Sequence, residues 1–219
     1  MAYKFWFIVG SQHLYGPEVL EEAAAHARVM TDGFNADDSI PFEVVFKGVM
    51  TTPEDIKAVC VAANGDADCA GVIAWMHTFS PSKMWIGGLT ILNKPYLHIN
   101  TQFNRNIPFD TIDMNFMNTN QSAHGDREHG FITARLRMRR KIICGYWEDS
   151  AFRKRIGGWM RSAAGAMASR DVKVMRLGDN MRYVAVTEGD KVEAEKVLGW
   201  SVNTYGVGGL VERVARVTD

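Results

Sequence analysis

Ser11, Gln12, His13, Leu14 and Tyr15 follow one apolar run directly, and His77, Thr78 and Phe79 follow another. Asn100, Gln102 and Asn104 follow a third, and Gln121 and His124 lie in a polar stretch further on. This collection is made of amides, hydroxyls, imidazoles and rings, with few fixed charges. Amides donate and accept together, and rings cover C–H faces, so Gln12, Tyr15, Gln102, Gln121 and His124 suit a neutral polyol. An anionic phosphate calls instead for a Gly-rich loop of N–H groups, or for Arg and Lys. The loop after Gly10 has neither G-x-G-x-x-G nor G-x-x-x-x-G-K-[ST]. Any one of these residues could equally cap a helix or satisfy a turn. Their gathering at the ends of apolar runs is what favours a ligand.

Two other chemistries are weighed on the same footing. His124, Glu128 and His129 form the one local His/Glu cluster. On a helix, 124 and 128 share a face and 129 is rotated by about 100° from 128. This is not H-E-x-x-H, so a zinc grip is a weak reading, and an ion pair of Glu128 with a neighbouring Arg is the plainer one. Tyr205-Gly-Val-Gly-Gly209 offers a partial dinucleotide fingerprint with Val211 at the third glycine position. A tight turn with close helix–strand packing explains it as well.

The elements that must position these residues can be traced by periodicity. Lys4–Gly10 is a continuous apolar run ending in Gly, a strand buried on both faces. Pro17 and Glu18 open a helix striped by Val19, Leu20, Ala23, Ala24, Ala27 and Met30. Phe42–Lys47 is the next strand. Thr52-Pro-Glu-Asp55 starts a helix with a capping residue, Pro at the first position and acids in the first turn. Cys69–Met76 and Pro95–Thr101 are strands, with a helix from Ser80-Pro81 between them. Asn118–Arg140 contains a helix, Ile142–Trp147 is a strand, and Ser150–Ala168 is a helix.

Strand, short turn and helix repeat, and each connection is long enough for a right-handed crossover. The expected fold class is α/β: an open, doubly wound, mostly parallel sheet of Rossmann or flavodoxin type. Ligands in such sheets bind at the carboxyl ends of the strands, where the polar residues fall. A weak boundary lies near Ala168–Asp171, dividing residues 1–170 from the start of a second α/β unit at 171–219. That unit holds the strands Val172–Leu177 and Ser201–Tyr205, a capping box at Thr187–Asp190, and the helices Lys191–Leu198 and Gly208–Val217. So short a sheet buries little apolar area alone.

Composition sets outer limits. Among 219 residues, 47% are apolar and 23% charged, as in a soluble globular protein. Lys plus Arg and Asp plus Glu both total 25, without the basic excess of a nucleic-acid binder. The cluster Arg135, Arg137, Arg139, Arg140 and Lys141 reads as the solvated end of a helix. Cys60, Cys69 and Cys144 have no metal-type spacing and read as buried free thiols in a reducing compartment. MAYKFWFIVG reads as a strand, not a signal peptide, and no stretch reaches the roughly 20 apolar residues of a membrane span. The expected location is the cytoplasm.

GSQHLYG at Gly10–Gly16, WMHTFSPSKMW at Trp75–Trp85 and NTNQSAHGDRE at Asn118–Glu128 resemble the L-arabinose isomerase family. GDNMRYVAVT at Gly178–Thr187 and SVNTYGVG at Ser201–Gly208 extend the resemblance over essentially the whole chain. It implies interconversion of L-arabinose and L-ribulose, with D-galactose and D-tagatose as a further pair. It also implies a divalent metal, typically Mn2+, assembly as homo-trimers or hexamers, and an active site between subunits. By motif match, Gln12, Leu14 and Tyr15 resemble residues that reach into a neighbour's sugar pocket. Gln121 and His124 match the amide and imidazole that hydrogen-bond the sugar hydroxyls, and Phe79 and Met181 match apolar walls.

Family members are more than twice this length. Their metal ligands, two Glu and two His, and the carboxylates proposed as acid and base fall outside the matched stretch. Moving a hydrogen between C1 and C2 needs polarised sugar oxygens and a group that shuttles protons, and this sequence shows no replacement. If the chain acts alone, metal must be held by residues brought together in an oligomer, with His13, His124, Glu128 and His129 first to test. The alternatives are a non-catalytic sugar-binding or assembly module, and a nucleotide binder at Gly206–Gly209.

Overall fold

The computed structural model describes residues 3–178, 183 and 189–218. They form two compact units, Met1–Ala164 and Gly165–Asp219. The first is built on five parallel strands in the order β2-β1-β3-β4-β5. These are β1 (Lys4–Gly10), β2 (Glu43–Met50), β3 (Cys69–Met76), β4 (Tyr96–Asn100) and β5 (Lys141–Cys144). This is the flavodoxin-type order.

Helices cover both faces because the central strands are apolar on both. In β1, Phe5 and Phe7 point one way and Trp6 and Ile8 the other. Phe5 meets Trp159 of α6 (Ser150–Ser169), and Phe7 meets Phe34 of α1 (Gly16–Asn35). Trp6 and Ile8 join Met76 and Tyr96 in a cluster with Ile56 and Cys60 of α2 (Pro53–Gly65) and Leu89 of α3 (Ile86–Ile91). Burying such large rings on two faces supplies the apolar area that orders the sheet.

Local signals explain most boundaries. Thr52 caps α2, its hydroxyl accepting the Asp55 N–H at 3.1 Å, with Pro53 at the first position. Asn35 ends α1 and anchors β2 with both ends of its amide, donating to Val44 O and accepting from Val44 N. The β1–β2 register slips by one residue between Phe7 and Ile8, and Gly48 at φ 126 absorbs the bulge.

Several elements differ in detail from the sequence reading. The helix expected within Asn118–Arg140 is preceded by a second one, giving α4 (Met114–Thr119) and α5 (Ser122–Arg135). The Ser80-Pro81 start leads first into a 3₁₀ turn over Ser82–Trp85 and only then into α3. Strand β5 ends at Cys144, and the Cys144 thiol is exposed. An edge strand has no neighbour on its outer side, so burial of that third cysteine does not hold. Cys60 and Cys69 are buried, as expected.

In the second unit, β6 (Lys173–Leu177) and β7 (Ser201–Tyr205) pair in parallel as a separate two-stranded sheet. The helix expected over Lys191–Leu198 is one α turn, α7 (Lys191–Glu193), that widens into a π turn over Ala194–Leu198. Asp190 caps it by accepting the Glu193 N–H. The Thr187 end of the expected capping box lies outside the described residues. Gly206 leads into α8 (Val207–Val214). No described residue of 165–219 is buried, and the described strands and short helices bury little apolar area. Among the described residues, no helix is long and apolar enough to cross a membrane.

Candidate functional site

The ends of β1, β3 and β4 carry the polar residues of interest. After β1, Gln12 is extended and leads into a 3₁₀ turn over His13–Tyr15. Leu14 stands out at 82% exposure, while Gln12 and Tyr15 are half-buried. His13 Nε2 lies 3.1 Å from Thr51 Oγ1 of the loop after β2. Ser11 Oγ and Thr78 Oγ1 are 2.7 Å apart and buried, which ties the loops after β1 and β3 together.

After β3, the half-buried Phe79 ring meets the exposed His124 imidazole edge to face, centroids 4.6 Å apart. Gln121 stands at the N-terminus of α5, its Nε2 3.4 Å from Asn118 Oδ1. Of the residues matched to the family, Phe79 and His124 touch, and Gln121 sits one helical turn before His124. Met181 lies outside the described residues.

Helix α5 is held by polar contacts. Its buried residues are Ser122, Gly125, Asp126, His129 and Thr133, all small or polar. Ser122 Oγ donates to Thr101 O at 2.6 Å, Asp126 Oδ1 pairs with His98 Nε2 at 2.7 Å, and His129 Nε2 meets the Tyr96 hydroxyl at 2.7 Å. Tyr96 and His98 alternate on one face of β4, so the helix is registered against the strand bond by bond. Gly125 permits the approach: a Cβ there would come 3.0 Å from Met76 Cβ and Thr78 O. Sequence reading passed over His98 and Asp126. The available signal was a helical repeat of polar residues at 122, 126, 129 and 133.

These contacts also place three of the candidate metal ligands, His124, Glu128 and His129, within one copy of the chain. Glu128 accepts the Ser82 backbone N–H at 2.9 Å, not an arginine, which corrects the expected ion pair. His129 is fully buried against Tyr96 and Trp85, whereas His124 is exposed against Phe79. A helix cannot bring 124 and 129 together, and buried packing fixes them apart. Among the described residues, no three His, Cys, Asp or Glu side chains converge to hold an ion. Within one copy of the chain, the described residues thus bring together no ligand set for the metal that the family resemblance implies.

Burial shapes the ionisation of the surrounding groups. His26 Nδ1 and His77 Nε2 are 2.9 Å apart, and His26 stacks on Phe103 at 3.6 Å. Burial pulls His26 down to about 4, and burial with the neighbouring His26 pulls His77 to about 3. Both rings are neutral at pH 7. Burial also raises the Asp126 carboxyl, opposed by its hydrogen bond to His98. Burial, with His98 and Arg140 nearby, holds His129 well below its ordinary value. Burial thus keeps the His129 ring uncharged at pH 7 as well.

Two hollows adjoin at the ends of β4 and β5. One of ≈ 500 Å³ is lined in part by Gln102, Asn104, Asn120 and Gln121, with Phe116 and Tyr146 as rings. The other, of ≈ 400 Å³, is lined by Asn100, Gln102, Ser122, Asp126 and Arg127. In the second unit, Gly178, Lys191, Thr204, Tyr205, Gly206 and Val207 line a third of ≈ 550 Å³. Lys191 Nζ there donates to Thr204 Oγ1 at 3.2 Å.

The L-arabinose isomerase N-terminal domain family matches residues 1–171, and the L-arabinose isomerase central domain family matches residues 173–219. The L-arabinose isomerase of Geobacillus kaustophilus (strain HTA426) is 58% identical over 217 residues, which cover 99% of this chain and 44% of that protein. That of Anoxybacillus flavithermus (strain DSM 21510 / WK1) is 59% identical, covering 99% and 43%. That of Thermotoga petrophila (strain ATCC BAA-488 / DSM 13995 / JCM 10881 / RKU-1) is 56% identical, covering 99% and 44%. The chain spans less than half the length of these relatives.

Proposed function

The chain belongs to the L-arabinose isomerase family, and on that premise we propose that it is the sugar-holding part of an aldose–ketose isomerase. The substrate class is a pentose, L-arabinose giving L-ribulose, with D-galactose to D-tagatose as a second pair. One observation carries this reading above others. Phe79 and His124, drawn from β3 and α5, meet at the carboxyl edge of the sheet, with Gln121 one turn away.

In this proposal Gln12, Gln121 and His124 hydrogen-bond the sugar hydroxyls, and Phe79, Leu14 and Tyr15 cover its C–H faces, while Met181 keeps only its match to the family. Their work is binding and orientation. A homo-oligomer, trimer or hexamer, with Leu14 at a subunit boundary, is carried over from the family resemblance. The rim belongs to residues 1–170, and 171–219 is a partial second unit. Mn2+ and a cytoplasmic location are carried over from the family and from composition. No chemical step is assigned to a metal, because no described side chains converge on one.

A second reading is a sugar-binding or assembly module without catalysis. Two measurements separate the readings. The purified chain is assayed for arabinose-to-ribulose conversion with and without manganese, and titrated calorimetrically with L-arabitol. Turnover above blank supports the enzyme. Heat without turnover supports the module. No heat, or heat unchanged by Gln12→Ala and His124→Ala, removes the sugar-holding role.

A further inference from the structure

We propose that the cleft at the carboxyl ends of β4 and β5 is a second polyol-binding site, floored by Asn100, Gln102 and Asp126. It goes beyond the Phe79–His124 reading, because it uses another side of α5. A helix advances about 100° per residue, so Ala123, Asp126 and Arg127 form one side and His124 and Glu128 another. Gln121 alone is shared, since it also lines the larger hollow.

The floor is rich in acceptors that have nothing to accept. Asn100 Oδ1 and Gln102 Oε1 are buried and meet no hydrogen-bond donor. A buried acceptor left unsatisfied is costly, and native structures supply it with a donor. Both residues line the ≈ 400 Å³ hollow together with Asp126, whose carboxylate is oriented by His98 at 2.7 Å. Gln102 and Gly145 are common to this hollow and the ≈ 500 Å³ one, whose walls include Ile112, Phe116 and Tyr146. The cleft therefore pairs hydrogen-bond acceptors with apolar walls.

Charge narrows the ligand. An anion would face the Asp126 carboxylate and two carbonyl-type oxygens, and of the guanidiniums in the lining Arg105 is already paired with Asp149 at 3.4 Å, which leaves Arg127. A cation would find one carboxylate, already bonded to His98, and the guanidinium of Arg127 at the edge. A neutral molecule with several hydroxyl donors and C–H faces satisfies both parts of the cleft.

The test is calorimetric titration of the purified chain with L-arabitol, comparing wild type, Gln102→Leu, Ala123→Phe and His124→Ala. Ala123 is an exposed helix position, so Ala123→Phe fills the cleft without entering the buried His98–Asp126 pair. A site that Gln102→Leu weakens about tenfold, that Ala123→Phe abolishes and that His124→Ala leaves intact supports the proposal. Should Ala123→Phe not fold, as judged by circular dichroism, Gln102→Leu decides. A wild-type titration without heat means that the acceptors hold only water and overturns it. Binding that His124→Ala removes, and that the cleft variants do not touch, also overturns it while upholding the rim.

Discussion

The Phe79 and His124 rings meet at an interplanar angle of 88°, one from the loop after β3 and the other from α5. An edge-to-face pair contributes about 0.5–1.5 kcal/mol beyond its area burial. Each ring therefore restrains the orientation of the other.

It follows that Phe79→Ala and His124→Ala each weaken L-arabitol binding, and that their effects do not add. A double-mutant cycle by calorimetry is expected to give a coupling of about 0.5–1 kcal/mol. Strictly additive losses would show that the two rings act independently.

Stability should fall in mild acid because of His26 and His77. Their pKa values are depressed to about 4 and about 3 from 6.5. The unfolded chain therefore binds protons below about pH 6.5 that the folded chain refuses, so stability present above that pH is lost as pH falls through about 4. Urea midpoints between pH 7 and pH 4.5 are expected to fall, and His77→Asn should flatten the slope. A midpoint independent of pH in this window contradicts the depression.

Asp126→Leu leaves the buried His98 Nε2 without its partner at 2.7 Å and is expected to cost about 1–3 kcal/mol in urea unfolding. Asp126→Asn keeps an acceptor oxygen for His98 and should cost less. Equal losses would mean that packing, not the hydrogen bond, holds α5 there.

Gly157 and Gly158 are neighbours on α6 with opposite expectations. A Cβ at Gly157 collides with the Ser39 carbonyl oxygen, whereas one at Gly158 meets nothing within 4 Å. Gly157→Ala should lower stability by about 2 kcal/mol or more, because backbone must move. Gly158→Ala should raise it by about 0.5–1 kcal/mol through helix propensity. Thermal melts of the two variants check both signs.

One thiol should react quickly with a thiol reagent at pH 8. Cys144 is exposed, while Cys60 and Cys69 are buried. Burial raises both buried thiols, Cys60 to about 11, so their reactive thiolate is scarce. Cys144→Ser should remove the fast phase, and two fast thiols in its absence would contradict the burial.

The amino-acid sequence by itself determined the alternation of strands and helices, and hence the parallel five-stranded sheet. The cause is local and periodic. Apolar runs such as Lys4–Gly10 and Cys69–Met76 want both faces covered, and Thr52-Pro53 marks a helix start through backbone geometry alone. The carboxyl-edge position of Gln12, Phe79 and Asn100 followed from that topology.

Only the tertiary structure decided how α5 seats and which side chains meet. Its buried stripe is Ser122, Asp126 and His129, so a search for apolar periodicity passes it by. Pairs such as His98 with Asp126, or His26 with His77, join residues far apart in the chain. A hydrogen bond between distant residues leaves no periodic trace, and burial, which shifts their protonation, is a property of the packed chain.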